Sequence, residues 1–179
     1  DLRGDIEGRL GVPFLGMIPT FPHQNAEDGA PIPPGHEDLY VHYRPNSRVA
    51  EAARSVRTTL LFMRPGKPLR SLLITSGGPR EGKSSTSTTI GITLASSSNR
   101  TVLVDTDMRK PRLHKIFGMT NDVGLTSFIL TRDPITQFTR PTEVPGLDLL
   151  TCGPLPPNPS ELLHTDRFKE LVKIGRAHV

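Results

Sequence analysis

Lys83 and Ser84 close a run that reads Gly77-Gly78-Pro79-Arg80-Glu81-Gly82-Lys83-Ser84. This is the G-x-x-x-x-G-K-S spacing of a phosphate-binding loop. In such a loop the backbone N–H groups converge on an anion, and the helix that follows turns its positive dipole end toward it. The lysine reaches the β- and γ-phosphates, and the hydroxyl after it ligates Mg²⁺. The cradle expected here spans Gly77, Gly78, Pro79, Arg80, Glu81, Gly82, Lys83, Ser84 and Ser85. The ligand expected there is ATP or GTP with Mg²⁺. The context agrees, because an apolar run, Leu72-Leu73-Ile74, precedes the loop and a Ser/Thr-rich stretch able to form a helix follows it.

A second pattern lies about one strand–helix unit further on. Val102-Leu103-Val104 runs into Asp105-Thr106-Asp107-Met108-Arg109. Ligands bind at the carboxyl edge of an open α/β sheet, where these residues would fall. A carboxylate there can hold Mg²⁺ or its waters, or accept a hydroxyl proton during phosphoryl transfer. Arg109 can meet phosphate or pair with a carboxylate. Alone, Asp-x-Asp at a strand end fits a turn or capping role equally well. After a complete phosphate loop it points to metal-side chemistry.

The surrounding pattern supplies elements to hold these residues. Strands are expected at 12–18, 70–75, 100–104 and 147–150. Helices are expected at the chain start, at 83–97, 111–117 and 123–130, and at about 165–173. Asn158-Pro159-Ser160-Glu161 reads as a helix start, with Asn as cap and Pro at the first helical position. Short buried strands separated by helices indicate a doubly wound, mostly parallel α/β sheet with flanking helices, the P-loop NTPase class. Residues 20–46 carry five prolines and few large apolar side chains, and read as a linker or surface loop.

The clearest helix is 47–63, with Val49, Ala52, Ala53, Val56, Leu60 and Met63 on one face and Pro65-Gly66 as its stop. Glu51, Arg54 and Arg57 form a separate charged stripe. It is either an intrahelical ion pair of about 0.2–0.5 kcal/mol or a contact with another subunit.

The composition excludes several classes. Hydrophobic residues are 35% and charged residues 22%, so the chain can bury a core. The one cysteine, Cys152, excludes an intrachain disulfide or a Cys-rich zinc site, which suits a reducing cytosol. No apolar run reaches the length of a membrane span. Residues 44–70 hold seven basic side chains against Glu51 alone. No aromatic residue interleaves the arginines of 44–60, so a solvated face or protein contact is expected rather than nucleic acid. His114, His164, Tyr40, Tyr43 and Cys152 are read as packing residues.

Taken together, these motifs resemble the bacterial tyrosine kinases of exopolysaccharide and capsule synthesis. The loop from Ser76 to Ser85 looks like their Walker A motif, and Val102 to Arg109 like their Walker A′ motif. Glu51-Ala-Ala-Arg54-Ser-Val-Arg57 is similar to their E-x-x-R-x-x-R oligomerisation motif. Leu10 to Pro19 looks like the segment joining a chain-length-determinant membrane region to the kinase. The resemblance implies ATP-dependent tyrosine autophosphorylation, with Lys83 on the phosphates and Ser84 on Mg²⁺. It places Asp105 and Asp107 near the metal and the incoming hydroxyl. It implies a homo-oligomeric ring packed through Glu51, Arg54 and Arg57, phosphorylating in trans. It further implies partners in polysaccharide polymerisation and export, and a place at the cytoplasmic face of the bacterial plasma membrane.

Three segments follow from it, and a fourth is read from the last six residues. Residues 1–19 end the membrane-proximal region, 20–46 are the linker, and 47–173 are a truncated kinase domain. Residues 174–179 translate, in frame, a common sequencing-adapter string. The expectation is therefore a fragment without the Walker B strand and tyrosine tail, inactive by itself, in which Arg176 and His178 carry no functional weight. Two rivals stand beside the kinase. One is a partitioning ATPase of the Min/Par class, which would place a second lysine where Gly78 stands. The other is a chain-length regulator that binds nucleotide without catalysis.

Overall fold

The computed structural model describes residues 2–22, 31–63, 66–97 and 100–177. Three strands form one sheet in the order β1-β3-β2: β1 is Thr101–Val104, β2 Arg140–Pro141 and β3 Leu147–Leu150. β1 and β3 run parallel, with Thr101 opposite Leu147 and Val104 opposite Leu150. β2 adds an antiparallel edge, pairing Arg140 with Leu149. Successive residues of a strand point to opposite faces. Accordingly Leu149 packs into one core cluster and Leu150 into another. Both side chains are fully buried. Apolar layers on both faces are what a doubly wound sheet requires.

The first layer is built by α2 (Tyr40–Tyr43), α3 (Arg48–Phe62) and α4 (Lys83–Ala95). Ser47 caps α3, its hydroxyl accepting from the Ala50 N–H at 3.2 Å. Val49, Ala50, Ala53 and Val56 form the buried face of α3, close to the expected stripe. α4 crosses β1 closely: a Cβ on Gly91 would stand 2.9 Å from the Leu103 side chain. The opposite layer is built by α6 (Leu125–Leu130) and α8 (Asp166–Ala177), around Phe128, Ile129 and Phe138. Before them, α5 (Leu113–Ile116) turns the chain away from β1, and α7 (Pro159–Leu163) leads into α8. At the other end of the chain, α1 is Leu2–Leu10 and contains no buried residue.

Several expectations are corrected. Residues 70–75 form no strand. A strand is held by its ladder, and among the described residues β1 pairs only with β3, so no partner reaches this run. Leu73 is accordingly 83% exposed. Residues 12–18 likewise form no strand. Asn158 makes no side-chain cap, although Pro159 does open α7.

The Pro-rich segment is more than a surface loop. Ile32, Leu39, Tyr40 and Val41 lie in the first core, because an apolar triplet follows the prolines and the chain folds back over α4. Residues 23–30 of that segment, and Pro65 of the expected α3 stop, lie outside the described residues, as do His178 and Val179 of the adapter-like tail. No described helix is long and apolar enough to cross a membrane.

Candidate nucleotide site

The phosphate loop leads directly into α4, whose first residue is Lys83. Gly82 takes a left-handed φ of 82°, a conformation glycine adopts at little cost. Arg80 has a φ of 64° without that freedom, and its side chain is exposed. Ser76 Oγ donates to the Gly78 carbonyl at 2.9 Å. The Gly78 N–H donates at 2.9 Å to Glu81 Oε2. A carboxylate oxygen thus sits on one of the loop's own N–H groups, and a Cβ at Gly78 would stand 3.1 Å from Glu81 Oε1. An anion-accepting cradle needs this backbone and this close approach.

The second motif is a tightly held turn at the carboxyl end of β1. Asp105 is 5% exposed. Its Oδ1 accepts from the Asp107 N–H at 3.1 Å, and its Oδ2 from Arg112 and Leu113 N–H, both at 3.0 Å. Asp105 therefore closes the turn and satisfies N–H groups at the start of α5. Burial raises its pKa above the ordinary 3.8, against the lowering effect of those backbone bonds. Asp107 is more open. Its Oδ1 accepts from Arg109 N–H at 3.2 Å and from Lys110 N–H at 2.9 Å. Burial pushes its pKa up too, but these bonds and the Lys83 ammonium outweigh it, and the net shift is downward.

The fold joins the two motifs. Lys83 Nζ lies 3.1 Å from Asp107 Oδ2, both side chains about one-third exposed. Ser84 follows on the first turn of α4, half-buried. Among the described residues no group of three or more His, Cys, Asp or Glu could hold a metal by itself. The Ser84 hydroxyl and the Asp107 carboxylate are oxygen donors that fit Mg²⁺, which takes one or two protein oxygens and completes its octahedron with phosphate and water. A cavity of about 800 Å³ opens beside the turn, with Asp38, Arg109, Lys110, Arg112 and Lys115 on its walls.

Asp38 is the residue that sequence reasoning missed. Its carboxylate accepts from the Ser85 hydroxyl and from Arg112 Nη2, the latter at 2.7 Å. The available signal was an acidic pair, Glu37-Asp38, abutting the apolar Leu39-Tyr40-Val41.

The Glu51, Arg54 and Arg57 stripe is not an intrahelical ion pair. Arg54 Nη1 donates to the Pro45 carbonyl at 2.7 Å, and Arg57 Nη1 to the Thr93 carbonyl of α4 at 2.9 Å. Glu51 is exposed. Cys152 is fully buried, and burial first, then the nearby Asp105 and Asp107, push its thiol up to about 11. It is a packing residue, as expected. Tyr40 stacks on Phe21, and the Tyr43 hydroxyl donates to Glu143 at 2.6 Å.

No family model matches the chain. The chain is 40% identical over 130 residues to the putative tyrosine-protein kinase CapB of Staphylococcus aureus, covering 73% of this chain and 57% of that protein. It is 39% identical over 127 residues to the tyrosine-protein kinase YwqD of Bacillus subtilis, covering 71% and 54%. Among solved structures, the chimerical protein CapA2B2 superposes with a TM-score of 0.80 at 36% identity, over 94% of this chain and 68% of that one. The chain belongs to the bacterial tyrosine kinase family. It spans just over half the length of these two kinases, and 23% of a longer relative, the tyrosine-protein kinase wzc of Salmonella typhimurium. Membership in this kinase family agrees with the P-loop fold class expected from the motifs.

Proposed function

We infer that the chain is the nucleotide-binding portion of an ATP-dependent protein-tyrosine autokinase acting in capsule or exopolysaccharide synthesis. The Lys83–Asp107 contact carries this reading, since it joins the loop's lysine to the second motif's carboxylate. Bound ATP with Mg²⁺ supplies the phosphoryl group and neutralises its charge. The residues of 77–85 would hold the phosphates through backbone N–H groups and Lys83. Ser84 and Asp107 would hold the metal. Asp105, which already accepts three backbone N–H groups, would keep Asp107 in register from behind rather than take the metal-side and catalytic role that the resemblance implies for it.

In this reading Lys83 exchanges Asp107 for phosphate oxygens when nucleotide enters. Asp107 stays ionised at neutral pH, because its carboxyl is held below 3.8, and so remains a competent oxygen ligand. Gly78, where a Min/Par ATPase would carry its signature lysine, supports the kinase over that rival. Glu51, Arg54 and Arg57 would pack between subunits of a ring that phosphorylates in trans. The polysaccharide export machinery would be its partner, at the cytoplasmic face of the membrane. Residues 1–19 would belong to the membrane-proximal side of the kinase.

The test is transfer of labelled phosphate from ATP to tyrosine in the full-length protein. Lys83→Met should reduce it by about 100-fold or more. Equal labelling of wild type and Lys83→Met would refute the assignment. Nucleotide binding without any phosphotyrosine would instead favour the non-catalytic chain-length regulator.

A further inference from the structure

We propose that Asp38 is a positioning residue of the nucleotide site, a two-pronged clasp between the phosphate-loop helix and the carboxylate turn. The proposal rests on the nucleotide-binding reading above. One oxygen of Asp38 accepts from Ser85, the residue after Ser84 on the first turn of α4. The other accepts from the Arg112 guanidinium at 2.7 Å. The Arg112 backbone N–H in turn donates to Asp105 at 3.0 Å, and Asp105 accepts from the Asp107 N–H. A path of hydrogen bonds, carried through the Arg112 side chain, therefore links Ser85, Asp38, Arg112, Asp105 and Asp107. It connects the element carrying Ser84 with the element carrying Asp107.

Asp38 can act as a fixed point because its own neighbours are fixed. It lies in a short 3₁₀ turn, Glu37–Leu39, that leads into α2. Leu39 and Tyr40 beside it are 0% and 4% exposed. The Asp38 side chain itself is 15% exposed and its Arg112 partner 58% exposed, so the Arg112 prong is the more screened of the two and the part-buried Ser85 prong the less. Its partners lie 47 and 74 residues away, on two different elements, so the clasp is tertiary.

The clasp makes a specific demand on binding. Nucleotide without metal is held by the loop N–H groups and Lys83, all on one of the two elements. Nucleotide with Mg²⁺ also needs Ser84 and Asp107 in register, one on each element. Loosening the clasp should therefore weaken the magnesium-dependent part of the affinity and spare the rest.

The experiment titrates a fluorescent ATP analogue, mant-ATP, against the full-length protein in magnesium and in EDTA. Asp38→Asn should shrink the magnesium-dependent gain in affinity about tenfold, with metal-free affinity changed by less than about threefold. Asp38→Glu, which keeps the charge, should restore part of the gain. The double variant Ser85→Ala/Arg112→Gln leaves Asp38 in place but empties the clasp. It should lose as much as Asp38→Asn, and it replaces Asp38→Asn if thermal melting shows that protein to be unfolded. Equal loss in magnesium and EDTA, or no loss, would overturn the clasp while leaving nucleotide binding intact. A wild type that binds no mant-ATP, indistinguishable from Lys83→Met, would overturn the nucleotide reading and the clasp together.

Discussion

The two halves of the candidate site are built in opposite ways. At the carboxylate turn, Asp105 and Asp107 together accept five backbone N–H groups, and Asp105 is almost fully buried. At the phosphate loop, one exposed carboxylate sits on one N–H, one residue sits at strained φ, and the run leading in has no ladder. The turn carries its anions within its own chain and is complete without ligand. The loop is a set of donors whose proper acceptor is a phosphate. Preorganisation therefore lies on the carboxylate side, and under the proposed function order on the loop side is expected to come with nucleotide.

The largest test of that contrast is to remove each aspartate. Asp105→Ala strands three N–H groups, one buried and two part-buried. Unsatisfied buried donors cost roughly 1–3 kcal/mol each and do not add fully, so a loss of about 3 kcal/mol is expected in urea unfolding. Asp107→Ala exposes its N–H groups to water and breaks only a part-exposed ion pair, for about 1 kcal/mol or less. Equal losses from the two variants would break the distinction between a structural and a ligand-facing carboxylate.

The same contrast predicts opposite pH dependences. Asp105 has a raised folded pKa, so the folded state holds its proton longer than the unfolded chain does. Its contribution to stability falls as pH rises from the ordinary value of 3.8 through the folded value. Asp107 has a lowered folded pKa. Its contribution is full above 3.8 and is lost as pH falls below that through the folded value. In urea titrations from about pH 3 to 7, the stability gap between wild type and Asp107→Asn should widen as pH rises. The gap to Asp105→Asn should narrow. Gaps that move the same way would show that one environment governs both carboxylates.

Much of this was legible in the sequence, and the remainder was not for identifiable reasons. The phosphate loop, α3, α4, β1 and β3 follow from local signals: glycine spacing, a 3.6-residue apolar stripe and short apolar runs. The run at 70–75 carries the same strand signal and fails, because a strand depends on a partner that its own residues cannot specify. Asp38 was hidden by composition. Prolines marked its segment as a linker, yet Ile32 and Leu39 bury themselves against α4 and bring Asp38 to Ser85. Arg57 was legible as a charge but not as a donor to Thr93, since that bond depends on the α3–α4 crossing.

A smaller effect probes strain on the loop side. Arg80 at a φ of 64° occupies a region that costs a non-glycine residue roughly 1–2 kcal/mol, partly offset by the entropy glycine brings to the unfolded chain. Arg80→Gly should therefore stabilise by about 0.5–1 kcal/mol in urea unfolding. A net loss would mean that the Arg80 side chain holds the loop.

The smallest expected effect concerns Glu81, whose carboxylate occupies the Gly78 N–H. Glu81→Gln keeps an oxygen acceptor of the same reach but removes the negative charge that a polyphosphate must approach. ADP affinity should rise about threefold at low salt, and the gain should shrink at high salt, because Glu81 is exposed and its field is screened within about 10 Å at 0.1 M. Adenosine, which brings no phosphate, should bind wild type and variant alike. If adenosine gains as much as ADP, Glu81 acts on the shape of the loop and not as an anion competing for its donors. The loop would then be organised from within, as the carboxylate turn is.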